Sequence, residues 1–163
     1  MLIHLKNKDI LVAGEFKFKC CIGKNGVKKD KIESDNSTPK GIFSLGNLYY
    51  RKDRVKKPNT NLKTKIIKSN MGWCNNSKHK LYNKEIKFQN KIHCEKLYRK
   101  DYKYDYLIVI NYNTNRIVPN KGSAIFIHLT NNYHPTAGCI AVKKKDFLIL
   151  LKLINKKTKI KIY

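Results

Sequence analysis

Two apolar runs in this chain each end on a residue able to take part in acyl transfer. Gly122-Ser-Ala-Ile-Phe-Ile-His128 delivers an imidazole at the end of one run, and Pro135-Thr-Ala-Gly-Cys139-Ile-Ala-Val142 places a thiol at the start of another. Residues 124 to 127 read as a buried strand ending on His128, and residues 140 to 142 as a second short strand leaving Cys139. Gly138 lets the backbone approach a ligand closely, and the amides of Gly138 and Cys139 form a candidate oxyanion-stabilising pair. The thiolate is the reactive form, so an imidazolium at His128 is the partner that would ionise Cys139 near neutral pH. That pairing predicts Cys139 to be the most readily alkylated of the five thiols at pH 6 to 7. The bland alternative is a small buried cysteine and a satisfied histidine.

A third segment favours the catalytic reading. Ser37-Thr-Pro-Lys-Gly-Ile-Phe-Ser-Leu45 carries the pattern Thr-Pro-x-Gly-x-Phe-x-Leu. Together with His128 and Thr136-Ala-Gly-Cys139 it resembles the L,D-transpeptidase catalytic domain, the YkuD-like family. Gly72-Trp-Cys74, Tyr82-Asn83, Tyr104-Asp-Tyr106, Asn111-Tyr-Asn113 and Gly122-Ser123 extend the resemblance over about residues 16 to 155, to a branch of small stand-alone domains. It implies a peptidoglycan transferase with Cys139 as nucleophile and His128 as base. Cys139 would form a thioester acyl-enzyme on a stem peptide, release a D-amino acid and pass the acyl group to an amine of a second stem. Such an enzyme would serve cell wall biogenesis and cell shape. The alternatives are an L,D-carboxypeptidase, with water as acceptor, a non-catalytic peptidoglycan-binding module, and a basic nucleic-acid-binding domain.

The family's commonest signature has His before Gly-Cys and Arg after the following hydrophobic residue, whereas Ala137 and Ala141 stand here. Arg51 and Arg54 are candidates to hold a substrate carboxylate instead, since a guanidinium fork suits that group. An exposed ion pair with Asp53 is the competing reading for them. Trp73, Tyr82, Thr136 and His134 complete the candidate substrate-binding set, although His134 rides on a polar loop and reads more readily as a solvent-exposed residue. His4, His79 and His93 have no comparable setting.

The elements that must position these groups are mostly strands. Ile10 to Ala13, Phe16 to Ile22, Gly41 to Tyr49, Tyr104 to Asn111, Ser123 to Leu129, Gly138 to Val142 and Thr158 to Tyr163 are rich in β-branched or aromatic residues, with Gly and Pro between them. Asp146 caps or begins a helix through Ile154 whose face at Leu148, Leu151 and Ile154 packs on the sheet. Residues 56 to 103 form a long irregular insertion with Trp73, Tyr82 and Phe88 as anchors, expected to fold into short elements walling a groove. The expectation is mainly β: a YkuD-like β-sandwich core with one helix in the C-terminal region, forming a single catalytic domain over residues 1–163.

The formal charge of +25 would attract polyanions. Of 36 basic residues only Arg51, Arg54, Arg99 and Arg116 are arginine, and the lysines are spread along the chain rather than gathered on one reading element. No specific nucleic-acid partner is therefore expected; the expected partner is the stem peptide, bound by a monomer. Five cysteines without a CxxC pair indicate no disulfide framework, though Cys74 and Cys94 could pair after export. Cys74, His79, His93 and Cys94 match no common zinc spacing, so no metal and no cofactor is expected. No apolar run is long enough to span a bilayer, and the N-terminus lacks a recognisable signal peptide. The sequence thus points to the cytoplasm, while the resemblance points to the periplasm or cell wall.

Overall fold

A computed structural model describes residues 1–87 and 94–163. Phe88 and His93, an expected anchor and a histidine without a role, lie outside the described residues. The chain is mainly β. Strands β1 (Leu2–Lys6), β2 (Ile10–Ala13) and β3 (Phe16–Cys21) form an antiparallel meander. A two-residue parallel pair follows, β4 (Val27–Lys28) with β5 (Thr38–Pro39), then the long β6 (Gly41–Tyr50) and its parallel neighbour β7 (Thr64–Ile66). The insertion folds in part into β8 (Met71–Cys74), β9 (Glu85–Lys87) and β10 (Cys94–Lys96), a small sheet in the order β10-β8-β9. Next come β11 (Tyr106–Ile110), β12 (Phe126–Leu129), β13 (Ile140–Val142), the helix α1 (Lys144–Leu153) and β14 (Lys159–Ile162).

The main sheet runs β11-β12-β13-β3-β2-β1-β14-β6-β7 and closes on itself because β6 also pairs with β11. One strand serves both neighbours because it bends. Gly41 to Ser44 pair with β14, while Leu45 to Tyr50 pair with β11, with a register shift between Ile108 and Ile110. Gly46 sits at that shift, where an added Cβ would lie 3.1 Å from Val109 Cβ and 2.9 Å from Asn111 Oδ1. The sheet can therefore bend tightly there, and the result is a sandwich-like core.

Side-chain alternation divides the buried residues into two clusters. Ile127, Leu129, Ile140 and Val142 join Ile3, Leu11, Ile108 and Ile160 in the larger cluster, which α1 covers with Phe147, Leu150 and Leu151. Leu107, Val109, Phe126 and Cys139 point to the opposite side and join Tyr49, Trp73 and Tyr104 in the smaller one. β11 is buried along its whole length because both clusters claim it. Truncating Leu107 or Ile108 to Ala should therefore cost about 2–5 kcal/mol.

The helix starts at Lys144, with Lys143 in the cap position and no side-chain cap, so Asp146 lies in the first turn rather than at its start. Leu148 is half-buried while Phe147 is fully buried, which turns the packed face slightly from the one expected. The strand expected over Ser123 to Leu129 is regular only from Phe126, because Ala124 takes a left-handed φ of 54°. No helix among the described residues is long and apolar enough to cross a membrane.

Candidate active site

β12 and β13 are parallel neighbours in which His128 pairs with Ala141. Cys139 lies two residues before Ala141, so alternation puts its side chain on the same face as His128 and Ala141. All three line one cavity of about 410 Å³, walled also by Glu95, Arg99, Lys103, Tyr104, Thr136 and His134.

The turn carrying Cys139 is held from two sides. Thr136 Oγ1 donates to the Cys139 carbonyl at 2.6 Å and accepts from Gly138 N–H at 3.1 Å. Thr38 Oγ1 donates to the Gly138 carbonyl at 2.9 Å and accepts from Gly23 N–H at 2.9 Å. The Thr-Pro segment thus reaches the turn carrying Cys139 directly. Gly138 has φ 142°, and a Cβ there would stand 2.7 Å from the Ser37 carbonyl oxygen, so both conformation and space require glycine. Of the two amides the sequence offered for an oxyanion, that of Gly138 is engaged by Thr136 as the site stands.

The sulfur sits between two backbone groups. Phe126 N–H donates to Cys139 Sγ at 3.3 Å, and the thiol donates to the Ala124 carbonyl at 3.3 Å. His128 is also buried; its Nδ1 donates to the Leu129 carbonyl at 3.0 Å, which leaves the Nε2 lone pair to receive a proton. Tyr104 packs edge-on against His128, with ring centroids 5.3 Å apart, and donates its hydroxyl to Glu95 at 2.9 Å. Burial governs the electrostatics. It pushes the Cys139 thiol up to about 12, and lowers His128 to about 4, with Lys103 and Arg99 adding repulsion of the imidazolium. The resting pair is therefore neutral thiol and neutral imidazole, where the sequence led us to expect an ion pair. The physical reason is desolvation, which both charged forms suffer here.

The remaining sequence candidates fall into two groups. Thr136 and the exposed His134 line the cavity. Arg51 and Arg54 do not: Arg51 grips Asp53 through Nε at 2.8 Å and NH2 at 2.7 Å, lies 3.5 Å over the Tyr98 ring, and donates to the Arg99 carbonyl at 2.6 Å. Arg54 donates to the carbonyls of Lys100 at 3.3 Å and Asp101 at 2.7 Å. Their forks are spent on the 99–101 loop, so they shape the rim of the cavity. Trp73 and Tyr82 likewise stay behind the wall. Trp73 packs edge-on to Phe126 at 5.3 Å and donates Nε1–H to Asn83; Tyr82 donates to Glu33 and accepts from Gly122 N–H at 3.0 Å. The guanidinium that does face the cavity, Arg99, is paired with Asp101 at 2.6 Å and Glu95 at 3.4 Å. The sequence reading missed Arg99, Glu95, Tyr104 and Lys103; the one available signal was an aromatic and charged cluster just before the strand of residues 106–110.

The chain has a YkuD-like fold, in which a closed sheet brings His128 and Cys139 to one cavity and a Thr-Pro segment pins the thiol's turn. The chain belongs to this family: the model of the L,D-transpeptidase catalytic domain matches residues 3–162. Members are generally L,D-transpeptidases, and membership indicates a peptidoglycan-related function. Among solved structures the chain resembles the helical cell shape determining protein Pgp2 from Campylobacter jejuni, with a TM-score of 0.53 at 17% identity, and its K307A mutant, with 0.52 at 17%. Each likeness covers 99% of this chain and 46% of the other, so this chain spans less than half the length of those proteins. No curated protein matches it.

Proposed function

We propose that this protein is a cysteine acyltransferase acting on peptidoglycan stem peptides. The observation that carries the reading is the meeting of Cys139 and His128 on one cavity wall, on adjacent parallel strands. His128 Nε2 takes the thiol proton as sulfur attacks a carbonyl adjoining a D-amino acid. The tetrahedral oxyanion collapses, the D-amino acid leaves with the proton on its amine, and a thioester remains on Cys139. An amine of a second stem then attacks the thioester, regenerating the thiol and forming a cross-link. A neutral resting pair fits general-base activation at the moment of attack rather than a stored thiolate. Cys139 N–H is the nearer oxyanion donor, and Gly138 N–H joins it only on leaving Thr136. Lys103 is the cation on the cavity wall suited to a stem carboxylate, since Arg99 is already paired with Asp101 and Glu95, and Thr136 and His134 line the same cavity. The reading extends to action at the cell wall and a part in cell shape, which membership of the family and the fold shared with Pgp2 support.

Incubation with purified muropeptides followed by mass spectrometry tests the reading. Cross-linked product is expected; shortened stems alone would make the protein a carboxypeptidase. Unchanged muropeptides that nevertheless bind would make it a binding module.

A further inference from the structure

We propose that Asn83 is the positioning residue of the nucleophile: its carboxamide holds the Ala124 peptide in a left-handed conformation, and the carbonyl of that peptide fixes the direction of the Cys139 thiol. The inference rests on the reading of Cys139 as the reacting group.

Ala124 is the unusual residue of the cavity wall. Its φ of 54° crowds Cβ against its own backbone, a conformation that alanine does not adopt without an external hold. That hold is visible. Asn83 Oδ1 accepts the Ala124 N–H at 3.1 Å, and it is fixed in turn by the Trp73 Nε1–H at 2.9 Å. The other end of the carboxamide is equally committed, donating to the carbonyls of Tyr112 at 3.0 Å and Asn113 at 2.7 Å. Two acceptor sites and two hydrogens are all an asparagine side chain has, and all four are used. The partners also fix which end is oxygen, since two N–H donors face one atom and two carbonyls the other. Asn83 is 3% exposed and itself left-handed, with φ 55°, a conformation that asparagine tolerates better than most residues.

The chain of contacts then runs to the sulfur. Ala124 turns its carbonyl to the thiol at 3.3 Å, while Phe126, two residues on, supplies an N–H to the same sulfur at 3.3 Å. A hydrogen-bond acceptor on S–H and a donor on S define the rotamer about the Cα–Cβ bond. Relaxing Ala124 to an ordinary conformation turns its carbonyl away from the sulfur and frees the thiol from the orientation set beside His128. Asn83 touches neither substrate nor sulfur, so it acts only through Ala124.

This makes a specific prediction about a compensating change. Asn83→Ala should lower kcat for acylation by about tenfold or more, with KM for the donor stem within about twofold of wild type. The pH midpoint of Cys139 alkylation by iodoacetamide should fall, because the neutral thiol loses its acceptor. Adding Ala124→Gly to Asn83→Ala should restore most of kcat, since glycine takes a positive φ unaided, while the lowered Tm of Asn83→Ala persists. A merely structural asparagine would show no such rescue. Should Asn83→Ala fail to fold on its own, it can be made in the Ala124→Gly background, where kcat should stay within about threefold of Ala124→Gly alone. A double variant as slow as Asn83→Ala, an unchanged alkylation midpoint, or a double variant more than about tenfold slower than Ala124→Gly alone would each overturn the proposal. Alkylation that follows this pattern in a protein inert towards muropeptides would instead sink the acyl-transfer reading and leave the positioning role intact.

Discussion

The Thr38 hydroxyl donates to the carbonyl of Gly138 across one hundred residues of sequence, and the geometry of the candidate nucleophile depends on that contact. Thr38 is fully buried and also accepts from Gly23 N–H. Its substitution therefore leaves a carbonyl and an amide unpaired away from water. Thr38→Val keeps the shape and removes both bonds, and should cost about 2–4 kcal/mol in chemical denaturation together with most acylation. Thr38→Ser should remain close to wild type in both. A stable, active Thr38→Val protein would remove the Thr-Pro segment from the site.

Two histidines line the cavity, and their settings predict different kinetics. His128 is buried and anchored through Nδ1, while His134 is exposed on a loop. His128→Ala should lower acylation by a carbapenem about 100-fold or more, and Cys139→Ala should abolish it with the fold intact. His134→Ala should change mainly the apparent affinity. The reverse order would move the base to the loop.

The neutral resting pair gives a pH signature. With the thiol pushed up to about 12, alkylation of Cys139 should climb by about tenfold per pH unit from 7 to 10, with no plateau at 6 to 7. Cys94, less buried than the other four thiols, should react first. His128 adds a stability term. Its folded value of about 4 lies below the ordinary 6.5, so the unfolded chain binds more protons across that window and stability falls as pH drops from 6.5 towards 4. The loss is on the order of 3 kcal/mol and should vanish in His128→Gln. Denaturation midpoints measured across this window decide it; equal pH slopes in the two proteins would place His128 in a solvated setting.

Cys74 and Cys94 are register partners across β8 and β10. Cys74 spends its own amide and carbonyl on Lys84 and Asn83, away from β10, so the two cysteines form a non-hydrogen-bonded pair. In such a pair the Cα atoms approach to about 4.5 Å, within reach of a disulfide. Exposure to oxidised glutathione should therefore form this bond: two thiols give up two protons and two electrons, and the glutathione disulfide leaves as two thiols. Peptide mapping should find Cys74 joined to Cys94 and a raised Tm that Cys94→Ser lacks. Recovery of both as separate thiols would show that the strands do not bring the sulfurs together.

Much of this site was legible because strands carry a period of two. Apolar runs ending on His128 and beginning after Cys139 are enough to put both groups at strand ends, and the strands proved to be neighbours. What alternation does not carry is which loop lies against which. Arg51 and Arg54 looked like carboxylate ligands because nothing in the sequence says that carbonyls 99 to 101 lie within their reach. Glu95 and Arg99 belong to a stretch expected to wall a groove, but it has no periodicity, so no pattern singled out which of its side chains would face the cavity. The left-handed Ala124 was hidden for a different reason: alanine is not a residue that announces a positive φ, and its cause, Asn83, lies 41 positions away. The helix began earlier than expected because its first turn, from Lys144, faces solvent and adds no apolar signal.

The two arginines grip the 99–101 loop by its carbonyl oxygens, which every residue type possesses alike. That grip is indifferent to the side chains of the loop, while the Arg99 fork on Asp101 fixes the loop from within. Position 103 keeps its place through its backbone, whose carbonyl accepts Leu129 N–H, so its side chain can change without moving the strand that carries His128. A change of charge there would alter both what the cavity attracts and the repulsion felt by a His128 imidazolium, so the rim couples what the cavity binds to the protonation of its buried histidine.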